Sequence, residues 1–127
     1  MTTGEIQIRV RYAETDRMGY LHHANYLVYF EQARTELLRG GGAAYKELED
    51  QGFFLVVVKA AVTYKLPAHY DDVLRLHCAI ARQTRARIDH VYRLYRDDTL
   101  LCEAESTLAC IDRSGHVIPI PEELSPA

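Results

Sequence analysis

The chain has 127 residues, 48% hydrophobic and 26% charged, and a net charge of -3 from 15 basic and 18 acidic residues. That length supports one domain with a single core, spanning residues 1–127. The charge balance lacks the basic surplus of a nucleic-acid binder. No run of about 18 apolar residues exists, so no membrane span is expected, and the polar residues 1–5 lack the apolar stretch of a secretory leader.

Ile6, Ile8 and Val10 alternate with Gln7, Arg9 and Arg11, the pattern of a half-buried strand. A loop follows. From Ala24 to about Leu38 the period becomes helical, with Tyr26, Phe30, Ala33 and Leu37 on one face. Gly40, Gly41 and Gly42 end that helix, as residues free to turn left-handed do. A second short helix is expected over 43–51. Residues 53–66 open on the apolar run Phe53-Phe54-Leu55-Val56-Val57-Val58, a strand that needs cover on both faces. Strands of alternating character follow over 74–81 and 88–95. Asp97-Asp98-Thr99 makes a hairpin turn into a last strand over 100–111. The tail, residues 119–127, holds three of the four prolines and is expected to be irregular.

One strand, a long helix and then four consecutive strands predict an α+β layer built on an antiparallel meander. The helix covers one sheet face, so the apolar strand over 53–58 points to continuation across a dimer interface. Cys78, Cys102 and Cys110 lie in apolar segments without CxxC spacing. They read as buried free thiols of a protein in the reducing cytoplasm.

The most informative segment is Tyr12-Ala13-Glu14-Thr15-Asp16-Arg17-Met18-Gly19-Tyr20-Leu21-His22-His23-Ala24-Asn25-Tyr26. It sets an acid, a turn glycine and a histidine directly before a helix. A carboxylate beside the free N–H groups of a helix start is equipment for opening an acyl carbonyl. The run Tyr12-x-Glu14-Thr15-Asp16-x-x-Gly19-x-x-x-His23-Ala24-Asn25-Tyr26, with Phe30-Glu31-x-Ala33-Arg34 after it, resembles the 4-hydroxybenzoyl-CoA thioesterase family of hotdog-fold acyl-CoA thioesterases. Tyr64-Lys65-x-Pro67-Ala68 and Asp72-x-Leu74 match the same pattern. The likeness covers about residues 6–113 and is greatest to the branch associated with the bacterial Tol–Pal gene cluster.

The resemblance implies an antiparallel sheet wrapped around one long central helix. It implies a homodimer or homotetramer with active sites at the subunit interface. It also implies hydrolysis of an acyl-CoA thioester to free acid and CoA without metal or redox cofactor. By the resemblance Asp16 is the catalytic acid, as nucleophile or as base for a water. His23 matches the family histidine and is assigned to orient Asp16 or the substrate, with proton transfer as a further role open to it. Gly19 permits the tight turn. The N–H groups near His23 and Ala24 form the oxyanion site. Asn25 and Tyr26 hold the helix start beside substrate.

His22 departs from the aromatic residue common at its position. The adjacent histidines His22 and His23 have no third ligand at metal spacing, so no metal is expected. Glu31 stands three residues before Arg34, where an ion pair along the helix is the simplest reading. Lys59, Lys65, Arg82, Arg85 and Arg87 are the candidate holders of the CoA phosphates. Two alternatives remain: a thioesterase acting on acyl-carrier-protein substrates, and a non-catalytic acyl-CoA-binding module.

Overall fold

The computed structural model describes residues 2–42 and 45–124. The chain runs β1 (Thr3–Arg9), a 3-10 turn (Tyr12–Glu14), α1 (His23–Gly40), α2 (Tyr45–Asp50), β2 (Phe54–Tyr64), β3 (Val73–Gln83), β4 (Ile88–Arg96), β5 (Thr99–Ile111), β6 (Val117–Ile118) and a 3-10 turn (Glu122–Leu124). Residues 43–44 of the expected second helix and 125–127 of the expected irregular tail lie outside the described residues. The described part of that tail contains the second 3-10 turn.

All pairings are antiparallel, and the sheet order is β1-β3-β4-β5-β2, with β6 on β5. The expected meander holds for β3, β4 and β5, where short turns join neighbours. β2 departs from it and pairs with β5 at the far side of the sheet. Residues 65–72 carry the chain back across, so sequence adjacency does not become spatial adjacency there.

The helix forms as its periodicity dictates. Tyr26, Tyr29, Phe30, Ala33 and Leu37 are buried along one stripe, at the spacing of a helix packed on a sheet. They meet Leu74, Leu76 and Cys78 of β3, Tyr92 and Leu94 of β4, and Leu101 and Cys102 of β5. Phe30 stacks on Tyr92 with ring centroids 4.5 Å apart. Gly4 lets α1 approach β1: a Cβ there would stand 3.0 Å from Leu37 Cδ1. A second small core gathers Leu48, Ile88, Cys110, Ile120 and Leu124 at the C-terminal end of the helix. The three thiols are free and buried, and burial pushes those of Cys78 and Cys102 up to about 12. Among the described residues, no helix is long and apolar enough to cross a membrane.

β2 is an edge strand. Val57 and Val58 on it are 49% and 59% exposed, and its register against β5 slips between Val57 and Lys59. On α1, Leu27 and Val28 are also exposed.

The Glu14 carboxylate is buried between α1 and the first turn. It accepts hydrogen bonds from the Tyr29 hydroxyl (2.7 Å), the Arg11 N–H (2.8 Å) and the Arg11 guanidinium (3.1 Å). Burial alone would raise its pKa, but those three donors outweigh it and hold the carboxyl below its ordinary value. A depressed folded pKa stabilises the protein above the unfolded carboxylate range, and that stability is lost as pH falls through the folded value. Glu14→Gln is therefore expected to cost about 1–3 kcal/mol at neutral pH. In urea titrations the gap between wild type and variant should close as the medium is acidified below about pH 4.

Candidate active site

A tight loop between the first 3-10 turn and α1 presents Asp16. Thr15 and Leu21 form an antiparallel bridge. Inside it the Asp16 N–H donates to the Tyr20 carbonyl at 2.8 Å, and the Gly19 N–H donates to the Asp16 carbonyl at 3.0 Å. Gly19 has φ +81, a conformation that strains any L side chain. The Asp16 side chain is exposed. Its Oδ1 accepts from the N–H groups of Met18 (2.9 Å) and Tyr20 (3.1 Å). Its Oδ2 makes no hydrogen bond among the described residues.

The loop is fixed to α1 through Glu14. The Glu14 carbonyl accepts from the His22 N–H and from Asn25 Nδ2, both at 2.9 Å. On the other side, the Leu21 N–H donates to the Ala68 carbonyl at 2.8 Å, and the Tyr70 N–H to the Gly19 carbonyl at 3.3 Å. Tyr20 bridges to His69, whose ring meets the Tyr20 ring edge-on. Asp72 holds that second loop in place: its Oδ2 accepts from the His69 N–H at 2.8 Å and from Arg96 at 2.9 Å.

His22 is the N-cap of α1. Its Nδ1 accepts from the Ala24 N–H at 3.2 Å, so one expected oxyanion donor already has a partner. The His23 N–H makes no hydrogen bond among the described residues and is the donor left at the helix start. The exposed His23 ring stacks on that of His22, with centroids 4.2 Å apart. It forms no hydrogen bond to Asp16. The Asp16 carboxylate is held by the Met18 and Tyr20 N–H groups, which the tight turn folds onto it. Among the described residues, no three His, Cys, Asp or Glu side chains are grouped to hold a metal ion.

Asn25 is occupied with the Glu14 carbonyl. Tyr26 is buried, its ring edge-on to Tyr64 at 4.9 Å. That contact sets the end of β2 against the first turn of α1, and exposed Lys65 is the next residue in the chain. Lys59 lies further back on exposed β2. Arg82, Arg85 and Arg87 are not brought together with Asp16 in one chain. They flank the β3–β4 turn, where Arg85 lies 4.0 Å from Glu122 and Arg87 lies 3.3 Å from Asp89. The expected Glu31–Arg34 ion pair does not form. Arg34 turns inward and donates to the Tyr92 hydroxyl at 3.2 Å, which in turn lies 2.6 Å from Ser106 Oγ.

Sequence reasoning passed over Glu14, Tyr29, His69 and Arg96 as parts of this site. Glu14 stood inside the recognised motif, and Asp72 inside the later match. The burial of Glu14 and the return of the 67–72 loop to Gly19 had no signature in spacing.

The family model of the thioesterase-like superfamily matches residues 10–127. An acyl-CoA thioesterase, YbgC, of Haemophilus influenzae is 36% identical over 123 residues, covering 94% of this chain and 90% of its own. The solved DHNA-CoA thioesterase of Staphylococcus aureus is 29% identical, with a TM-score of 0.91 over 94% of this chain and 81% of that one. A 4-hydroxybenzoyl-CoA thioesterase, at 17% identity, shares the fold with a TM-score of 0.89 over 98% of this chain and 96% of that chain. The chain belongs to the thioesterase-like superfamily, with the hotdog fold, and is a thioester hydrolase. The resemblance read from residues 12–34 is thereby shown.

The two histidines separate by stability. His22→Ala removes the helix cap and should cost about 0.5–2 kcal/mol. His23→Ala, at an exposed ring, should stay within about 0.5 kcal/mol of wild type. Parallel urea unfolding of both variants checks this.

Proposed function

We propose that this chain hydrolyses acyl-CoA thioesters to a free acid and CoA, with Asp16 as the reacting carboxylate and the start of α1 as the oxyanion site. The observation that carries this reading is the state of Asp16. One oxygen is pinned by two backbone N–H groups, and the other is unbonded and exposed, in the loop that leads into a helix N-terminus.

Two routes use that oxygen. In the first, Asp16 Oδ2 attacks the thioester carbon, the C–S bond breaks, and CoA leaves as a thiolate that takes a proton from solvent. Water then hydrolyses the resulting anhydride and restores the carboxylate. In the second, Asp16 takes a proton from a water whose oxygen attacks the same carbon, the C–S bond breaks, and the departing CoA thiolate takes up a proton as the carboxylate is restored. Either way negative charge develops on the carbonyl oxygen. The unbonded His23 N–H and the positive end of the α1 dipole favour that charge. Neither route calls for a metal or redox cofactor.

Lys65, next to Tyr64 at the end of β2, and Lys59 are the candidates within the chain for the CoA phosphates. Edge strand β2, with Val57 and Val58 exposed, fits pairing with a second copy. A bare strand edge is a template for another strand, so we propose a homodimer through β2, alone or doubled into a homotetramer. The Arg82–Arg87 turn then serves a site only by way of the assembly. The cytoplasm, rich in acyl-CoA, suits this reading.

Release of free CoA, followed by a thiol reagent over a panel of acyl-CoAs, tests the activity. Asp16→Asn keeps an acceptor for Met18 and Tyr20, so its melting temperature should hold while kcat falls roughly 10²–10⁴-fold. Wild-type turnover in that variant would overturn the assignment. In a single turnover in ¹⁸O-water, label in the Asp16 peptide marks the anhydride route, with water opening the anhydride at the Asp16 carboxyl carbon.

A further inference from the structure

His22 stands where the Asp16 loop becomes α1, with extended backbone (φ -65, ψ 137). Its main-chain N–H is tied to the Glu14 carbonyl, and its ring Nδ1 accepts from the Ala24 N–H at 3.2 Å. A ring nitrogen accepts only while it carries no proton, so this bond requires a neutral imidazole with its hydrogen on Nε2. A hydrocarbon ring at this position could neither accept that N–H nor change charge. The Asn25 N–H closes onto the His22 carbonyl at 2.9 Å. Among the described residues, the His23 N–H is thus the free donor of the first turn, with a bonded N–H on either side of it in the chain.

Protonation of the His22 ring undoes this arrangement in three ways. It sets an N–H on Nδ1 against the Ala24 N–H. It puts a positive charge on the positive end of the α1 dipole. It charges a ring stacked on His23, with planes 27° apart. Histidine changes charge between about pH 5 and 8. The charged and titratable groups on the segments around this helix start are Arg11, Glu14, Asp16 and Arg17 before it, Tyr64 and Lys65 at the end of β2, and His69 and Asp72 in the 67–72 loop. Among the described residues, none of them bonds to the His22 ring. Glu14, held below its ordinary value, stays ionised through that range. The other histidines there are His23 and His69.

We propose that His22 is a positioning residue for thioester hydrolysis and an acid-sensitive gate on it. While neutral, the ring caps α1 and fixes the first turn with the His23 N–H open to the substrate carbonyl. Once protonated, the ring leaves the Ala24 N–H, the first turn loosens, and the His23 N–H loses its aim. The inference rests on the acyl-CoA reading above, because the group through which His22 acts is the oxyanion donor of that reading.

The test is kcat/KM between pH 8 and pH 5 for the fastest substrate of the acyl-CoA panel, beside hydrogen exchange of the Ala24 amide. His22→Asn keeps a capping oxygen that does not titrate, so it should retain most of the pH 8 rate and a protected Ala24 at pH 5. Wild type should lose about fivefold or more in kcat/KM beyond any loss in His22→Asn, the worth of a typical helix cap. Its Ala24 protection, corrected for the intrinsic exchange rate, should fall over the same interval. His22→Ala should sit at the low level throughout. His23→Gln and His69→Gln should each keep the wild-type shape of the profile, whatever their absolute rates. Absence of turnover in wild type would overturn the acyl-CoA reading and the gate with it. Turnover whose acid limb survives in His22→Asn, or disappears in His23→Gln or His69→Gln, overturns the gate alone, as does an Ala24 amide equally protected at both ends of the range.

Discussion

The buried Glu14 carboxylate is the constraint on which the site rests. A carboxylate taken out of water must have its lone pairs filled. Three donors converge on it, two from Arg11 and one from Tyr29 on the helix. Tyr29 lies in the buried stripe of α1, so the first turn and the helix are locked to one another. The Glu14 main-chain carbonyl then takes the His22 N–H and the Asn25 amide. One residue thus sets where the helix begins and where the Asp16 loop leaves it. Burial also keeps the Tyr29 hydroxyl protonated, with Glu14 beside it adding to the effect, so the donor persists across the neutral range.

From this brace outward, the arrangement is economical in conformational terms. Gly19 supplies the left-handed turn, and two N–H groups fold back on Asp16. The 67–72 loop, clamped by Asp72 and Arg96, closes the far side. The backbone and a few buried side chains do the positioning, which leaves Asp16 Oδ2 and the His23 N–H, both on exposed residues, without a protein partner among the described residues. That arrangement fits a site kept open for a substrate carbonyl.

Much of this was legible from residue order. The helical stripe of Tyr26, Phe30, Ala33 and Leu37 and the alternation in the later strands follow from periodicity, which burial enforces directly. The motif from Tyr12 to Tyr26 named the loop that carries Asp16. Three things were not legible. β2 pairs with β5 because residues 65–72 cross the sheet, and nothing local encodes a crossing. Arg34 abandons Glu31 for Tyr92 because the helix face beneath it is interior, where a phenol is in reach. His22, an apparent departure from the pattern, caps the helix through Nδ1, a role that depends on backbone geometry at the loop exit.

The most direct test of the brace is the kinetics of Tyr29→Phe, a residue that faces the core and does not touch Asp16. If Glu14 aims Asp16, kcat for acyl-CoA hydrolysis should drop roughly 10- to 100-fold, the scale of small misplacements, while KM stays within about twofold. Tyr29→Phe in the Asp16→Asn background should then be no slower than Asp16→Asn alone, since there is no carboxylate left to aim. A Tyr29→Phe protein that loses stability but keeps wild-type kcat, or losses that add independently in the double variant, would contradict the account.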